Sequence, residues 1–457
     1  MVNIATAIIA GVLLSGAFAP FALWWLAPMG IALHMYSISQ SNRPYLNSFI
    51  FGAVFNAIAL HWTSTFVGAA PWLILVLLQA ILYIPLGLVK QSSIAWYPLI
   101  FLGMEQIRTI FPFGGFGWLR IAYSAADAPY RQIAAIGGAA ALSGFTLSIS
   151  LVLFSLYARK LYILPLLPVL LLLIPVNLQS VGSVRVLMVQ GDVPKLGLDF
   201  NSNAKEVFKK HVTESKKALE KDNNVDFILW PENSADVDPF RNKDVEKSLN
   251  TFAQPLIIGA VIRSQGLLQN VSILWSKKEP EIYVKQHLTP FGEYIPLRTL
   301  ARRISPLSDI VTDITPGTSS KFFSFASGKV APIICFELVD DAILDRAAAG
   351  SNLFVIQTNS ATFGRSAESA QQLGISRIRA IEHGRNALSV STTGISAQID
   401  YKGEIIHQMP IHRPAHFYAQ SELLEGQTPR DRAGNWALVG AFIWLIALGA
   451  RRKRLYR

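Results

Sequence analysis

Hydrophobic positions divide this chain into zones. From Met1 to Asn177 long apolar stretches are broken only by short polar or Pro/Gly punctuation. From Ser183 to about Gln427 short apolar runs alternate with amphipathic ones, and from Trp436 to Ala450 the chain is apolar again. Crossing a hydrocarbon core of ~30 Å takes ~20 helical residues. By that measure the pattern predicts about eight membrane helices: Val2–Phe18, Phe21–Ser37, Asn47–Phe66, Trp72–Val89, Ser93–Phe111, Ile133–Leu156, Leu161–Val176 and Asn435–Ala450. Ala17-Phe18-Ala19 looks like a signal-peptide cleavage site, yet no basic region precedes it and Pro20 follows, so the first stretch is read as a span.

The middle zone has a different period. Val184–Gln190, Asp226–Trp230, Leu256–Val261, Val271–Trp275, Val330–Ile334, Leu353–Thr358 and Ala387–Ser391 are short, β-rich and almost continuously apolar, as strands covered on both faces are. Amphipathic stretches at Ala204–Lys221, Asp341–Ala349 and Glu368–His383 suit helices between them. The alternation predicts an α/β layered sandwich. The expected organisation is a membrane all-α bundle of about seven helices over 1–178, an α/β domain over 183–427, a last transmembrane helix at 435–450 and a basic tail at 451–457.

Composition agrees with a membrane protein: of 457 residues 51% are hydrophobic and only 16% charged, against about a quarter charged in soluble domains. Basic residues in short loops set orientation. Arg451-Arg452-Lys453-Arg454 places the C-terminus in the cytoplasm, with Arg43, Lys90 and Arg159-Lys160 on the same side and 183–427 on the outer face; Arg108, Arg120 and Arg131 run against the rule. The net charge of +11 is read as attraction to anionic lipid headgroups plus this topology signal, not as nucleic-acid binding. A single cysteine allows no internal disulfide, and His407, His412 and His416 are not spaced as a zinc site, so neither metal nor cofactor is expected.

Strand ends carry the candidate chemistry. Val330-Ala331-Pro332-Ile333-Ile334-Cys335-Phe336-Glu337 delivers the lone thiol to the C-terminal edge of a buried strand. Asp226–Trp230 runs through Pro231 into Glu232, and Tyr283-Val284-Lys285 is followed by a Pro/Gly turn ending in Glu293. A thiol needs a base to become a thiolate, and a cation or amide donors to stabilise an oxyanion, so Glu232, Lys285 and Cys335 form a sufficient acyl-transfer set. Taken singly, each has a bland reading: a small buried hydrophobe, a charge at a helix start, a lysine on an edge strand. His287 invites a Cys-His dyad, but Leu288-Thr289-Pro290-Phe291-Gly292-Glu293 favours Lys285. Glu337 serves either the chemistry or the loop beneath the nucleophile. Glu105 and Arg108, at i and i+3 in an apolar stretch, either pair on one helix face and meet a lipid headgroup or sit at the interface.

The Pro-Glu, Lys…Pro-Phe-Gly-Glu and Cys-aromatic-Glu elements, in this order, resemble the nitrilase (carbon–nitrogen hydrolase) superfamily with its Glu-Lys-Cys triad. Phe18-Ala19-Pro20-Phe21, Phe113-Gly114-Gly115-Phe116-Gly117-Trp118-Leu119, Val189-Gln190-Gly191-Asp192-Val193-Pro194 and Asn359-Ser360-Ala361-Thr362-Phe363-Gly364 resemble its membrane-integral branch, the apolipoprotein N-acyltransferase family. The resemblance covers nearly the whole chain. It implies an αββα sandwich inserted before the last membrane helix, on the outer face of a bacterial cell membrane, with Glu232 as base, Lys285 as oxyanion stabiliser and Cys335 as nucleophile. Glu293 would orient Lys285 or the incoming amine. Phe336 stands where relatives often carry Tyr, and Phe200 lies nearest to where they often carry Trp. The implied reaction takes an acyl chain from a phospholipid to the α-amine of a diacylated apolipoprotein. The rival readings are a membrane-tethered amidase or nitrilase acting on small amides and a non-enzymatic transporter or scaffold with a vestigial domain, though seven spans exceed a tether's needs and the triad is intact.

Overall fold

A computed structural model describes residues 2–89, 91–157, 164–197, 204–304, 311–441 and 443. It falls into two units, Met1–Val176 with Thr428–Arg457, and Asn177–Gln427.

The first unit is helical: α1 (Val2–Gly16), α2 (Leu26–Ser39), α3 (Pro44–Ala59), α4 (Ala69–Ile81), α5 (Tyr97–Ile110), α6 (Ile121–Ser124) and α7 (Ile133–Tyr157). Among the described residues two apolar segments, Ala69–Leu88 and Ile133–Tyr157, are long enough to cross a membrane, while Asn3–Gly16 and Pro44–Ala59 are shorter. Several of the predicted spans change helix type along their length. Asn47–Phe66 divides into α3 and a 3-10 turn at His61–Ser64, and Trp72–Val89 into α4 and a 3-10 turn at Ile84–Leu88. α7 breaks at Gly137–Gly138, where Gly138 takes φ +74°, a conformation side-chain-bearing residues avoid. The expected span Leu161–Val176 holds a 3-10 segment at Leu164–Leu173, because Pro168 inside it lacks the amide that an α-helix would use. Half of Asn435–Ala450, namely 442 and 444–450, lies outside the described residues.

Glu105 and Arg108 are buried at 1% and 2% exposure and do not pair with each other. Arg108 Nε donates to Gln79 Oε1 at 2.7 Å and its Nη1 to the Tyr83 hydroxyl at 2.9 Å. Glu105 Oε1 accepts the Ile121 N–H at 2.6 Å. The expected pair at an interface is thus replaced by two separate buried sites, in which Glu105 Oε2 and Arg108 Nη2 have no hydrogen-bond partner.

The second unit is built on two six-stranded sheets among the described residues. Its strands are β1 (Gln179–Gln190), β2 (Phe227–Leu229), β3 (Leu256–Ser264), β4 (Leu267–Trp275), β5 (Glu281–Val284), β6 (Phe323–Phe325), β7 (Gly328–Ile334), β8 (Leu353–Thr358), β9 (Asn386–Ser391), β10 (Ala397–Ile399), β11 (Ile405–Gln408) and β12 (Ala415–Glu425). The first sheet runs β12-β1-β2-β3-β4-β5 and the second β11-β10-β9-β8-β7-β6. In each the centre is parallel, β1-β2-β3 and β7-β8-β9, and the margins are antiparallel.

Alternation along the strands makes the layers. Val186 and Met188 of β1 point to a core shared with Ile334, Val355, Leu388 and Val390 of the other sheet. Leu187 and Val189 point the other way, onto Phe208 and Ala218 of α8 (Glu206–Leu219) and Val245 and Leu249 of α9 (Lys243–Leu249). With both faces buried, the strand reads as continuously apolar. α10 (Arg298–Ile304) follows β5, and α11 (Asp341–Gly350) and α12 (Glu368–His383) pack on the second sheet, giving an αββα sandwich. α13 (Pro429–Ala433) belongs to the first unit.

Candidate active site

The parallel centre of each sheet ends at one edge, and there the chain must turn. After β2 the buried Trp230 fixes the exit: its indole N–H donates to Ser215 Oγ at 2.9 Å, and its carbonyl accepts from Gln357 Nε2 at 2.7 Å. Glu232 then lies against β3 so closely that a Cβ on Gly259 would come within 2.5 Å of the Glu232 Cα. Only glycine allows that approach.

Lys285 follows β5, and its backbone N–H donates to the Asn270 carbonyl of β4 at 2.9 Å. Its ammonium, 1% exposed, lies 3.2 Å from Glu232 Oε1 and 2.8 Å from Glu293 Oε2. The turn after it carries Glu293 back, with Glu293 Oε2 also accepting the Thr289 N–H at 2.7 Å. Asn270 ties the carboxylates together: its amide donates to Glu232 Oε1 at 2.8 Å and to Glu293 Oε1 at 2.6 Å. Sequence reasoning missed Asn270. Its one signal is a polar residue in the middle of an apolar strand.

Burial by itself would lower the lysine's pKa, but the carboxylates of Glu232 and Glu293 outweigh it and raise Lys285 well above its ordinary value. Burial pushes Glu293 up, and the Lys285 charge reverses this to a net lowering. For Glu232 burial dominates and raises the carboxyl, with Lys285 opposing and Glu293 adding.

Cys335 follows the last residue of β7, half-buried and at φ +49°. A left-handed residue other than glycine costs about 1–2 kcal/mol, and here it turns the chain sharply into a 3-10 segment, Cys335–Val339. Burial, then the charge of Glu232, pushes the thiol well above its ordinary value, while Lys285 pulls it down. The resting thiol is therefore protonated. Gln372 of α12 donates an amide N–H to its Sγ at 3.5 Å.

Glu337 holds the turn beneath the thiol. Its Oε1 accepts the Tyr283 hydroxyl at 2.7 Å and the Gln286 N–H at 2.6 Å, and its Oε2 accepts the Ile334 N–H at 2.7 Å. Burial pushes its carboxyl up to about 7 against these bonds. Phe336 is buried with the His287 ring set edge-on at 5.2 Å. The His287 ring nitrogen pairs with Asp340 at 2.8 Å, so it is committed away from the thiol. In the loops beside the site, Leu196 packs beside Val193, Val207 and Ala361, and Ile295 is buried, but Leu297 and Phe291 are 63% and 48% exposed. Leu198 and Phe200 lie outside the described residues. The histidines near the end of the unit are dispersed: His407 stacks on Phe417, and His416 bonds Glu214.

A base, a locked ammonium and a thiol at a strained turn make an arrangement capable of nucleophilic acyl transfer. Residues 10–153 match the family model described as apolipoprotein N-acyltransferase N-terminal domain. The chain is 30% identical over 509 residues to the apolipoprotein N-acyltransferase of Mycolicibacterium smegmatis, covering 97% of this chain and 85% of that protein. It is 27% identical over 497 residues to that of Azotobacter vinelandii, covering 99% and 95%. Among solved structures, that of Saccharomyces cerevisiae Nit3, a member of the nitrilase superfamily, aligns with 53% of this chain and 92% of its own at 17% identity and a TM-score of 0.39.

Proposed function

The chain belongs to the apolipoprotein N-acyltransferase family, and from that premise we propose how it transfers an acyl group to a lipoprotein. The reaction runs in two steps on one cysteine. Glu232 takes the Cys335 proton, and the thiolate attacks an acyl ester of a phospholipid. The lysophospholipid alkoxide leaves with the proton from Glu232, and a thioester remains on Cys335. The free α-amine of a diacylglyceryl-cysteine, the N-terminus of the apolipoprotein, then attacks the thioester. Its proton returns through Glu232 to the departing thiolate, and the product is an amide.

The observation that carries this reading is the buried Glu232–Lys285–Glu293 cluster beside a thiol on a left-handed turn. Both hydrogen bonds to Glu232 end on Oε1, which leaves Oε2 for the thiol proton. Moving that proton from Cys335 to Glu232 leaves the charge of the pair unchanged, so a protonated resting thiol is no obstacle. Lys285 has three N–H donors, and the carboxylates use two; the third is available to an oxyanion. Glu293 orients Lys285, and Glu337 and the buried ring of Phe336 support the nucleophile's turn.

Donor and acceptor are both lipids, and each methylene drawn from the bilayer costs about 0.8 kcal/mol, so the chemistry belongs at the membrane surface. We place the α/β unit on the outer face of the bacterial membrane, anchored by a multi-pass bundle of about eight spans with a cytoplasmic C-terminus. The test is the intact mass of the protein after incubation with phospholipid vesicles. A fatty-acyl increment removable by neutral hydroxylamine, with lysophospholipid released, is expected. The same adduct on Cys335→Ser, or ammonia release from simple amides without lysophospholipid, overturns the reading.

A further inference from the structure

Glu368, the first residue of α12, belongs to none of the roles above. It is 1% exposed, and its Oε2 has no hydrogen-bond partner. Among the described residues of this unit it is the one buried carboxyl group with such an open oxygen. Of the other carboxyl groups of the site, Glu232 keeps Oε2 for the thiol proton, while both oxygens of Glu293 accept bonds from Asn270, Thr289 and Lys285 and both oxygens of Glu337 are likewise taken.

Glu368 also faces the reacting atoms. It lies one helical turn before Gln372, whose amide reaches the Cys335 Sγ at 3.5 Å, and residues at i and i+4 share a helix face. Its charge acts on both the Cys335 thiol and the Glu232 carboxyl, and the Ser360 hydroxyl supports it from the loop after β8.

We propose that the Glu368 carboxyl group holds the α-amino group of the acceptor lipopeptide during the second half-reaction, accepting one of its N–H bonds on Oε2. The inference rests on the two-step reading above and assigns the acceptor's binding point within that site. An open buried acceptor oxygen carries a free-energy penalty that a donor relieves, and the amine is the substrate group that brings donors to this place. Burial, then repulsion from Glu232, pushes Glu368 up to about 8. The rise moves the carboxyl toward the range of a free α-amino group, which lowers the cost of sharing a proton with it. The groups facing Glu368 are Glu232, Cys335 and Ser360, with Gln372 on its own helix.

The experiment separates the half-reactions on the full-length protein in detergent. Thioester formation is followed with vesicles of phosphatidylethanolamine and phosphatidylglycerol, and its discharge with a synthetic S-diacylglyceryl-cysteinyl peptide bearing a free α-amine. For Glu368→Gln, KM for the peptide is expected to rise at least about tenfold, the size of one lost bond to a charged group. Discharge should slow about tenfold more than acylation, and its pH dependence between about 7 and 9 should flatten. Glu368→Asp, which keeps an acidic oxygen, should fall between the two proteins and carries the test if the Gln variant loses its fold. Equal slowing of both half-reactions, or an unaltered KM for the peptide, overturns the inference while the two-step reading stands. Failure of the unsubstituted protein to form any thioester overturns both.

Discussion

At the scale of single residues, Lys285 shows how the fold changes an expectation. Beside a strand end, its side chain reads as lightly packed, and removing it should cost activity alone. In the structure it is 1% exposed between Glu232 and Glu293. Lys285→Ala is therefore expected to act twice. Loss of one preorganised oxyanion donor slows thioester formation by about a hundredfold to a thousandfold. Loss of the cation between Glu232 and Glu293 destabilises the domain by about 3–5 kcal/mol. The pH dependence of that second effect has a definite sign. Lys285 is raised in the folded state, so its contribution is complete below its unfolded pKa and is lost only at strongly alkaline pH; Glu293 is lowered, so its contribution is present above its unfolded value and is lost in acid. Thermal unfolding across pH in detergent, paired with acylation rates corrected for the folded fraction, checks both parts. A rate change below about threefold would show that backbone amides suffice.

At the scale of elements, the site depends on how closely β2 and β3 approach. Gly259 sits in β3 where the Glu232 turn crosses it, with Pro231 accepting the Gly259 N–H at 3.2 Å. Gly259→Ala places a Cβ 2.5 Å from the Glu232 Cα and 2.6 Å from the Pro231 carbonyl oxygen. These are backbone atoms and cannot swing aside, so the turn must move and take Glu232 away from Lys285. The expected outcome is a loss of about 1–3 kcal/mol in stability and a larger proportional loss in acylation, read by unfolding midpoint and thioester rate. Full activity in the alanine variant would mean that the base tolerates displacement. Sequence pattern located this strand but not the contact, because a glycine inside a β-rich run gives no clue to which neighbour it admits.

At the scale of the whole molecule, the sidedness of the chain is the claim most open to a direct test. In the topology we propose from the basic loops and the Arg-rich tail, the C-terminus is cytoplasmic and residues 183–427 lie outside. With Cys335 replaced and single thiols introduced at Lys243 and Lys453, an impermeant reagent applied to intact cells should label the first position only. Lys243 is exposed at the start of α9, so lack of access to a folded interior does not confuse the result. Labelling at 453 alone would reverse the orientation and put the chemistry on the inner face.

What the sequence determined by itself is whatever local pattern controls. Short, almost continuously apolar runs announced the strands of the two parallel centres, and amphipathic spacing gave Glu368–His383 its ends. The motifs ending in Glu232, Lys285 and Cys335 stood out because each follows an apolar run that stops abruptly. β12 was not legible: it pairs antiparallel with β1, but its residues alternate between buried and exposed, and His416, Gln420 and Glu422 dilute the apolar signal. Hydropathy placed α7 to within a residue but not the breaks within apolar stretches, since such a stretch stays apolar whether or not Pro168 or Gly138 interrupts it. Only tertiary structure decided that Arg108 and Glu105 go to separate partners, that Asn270 bridges two carboxylates and that Glu368 faces the thiol with an oxygen unspent. Each of these depends on groups brought together from distant parts of the chain, and on burial that turns an ordinary polar side chain into one that must find a partner.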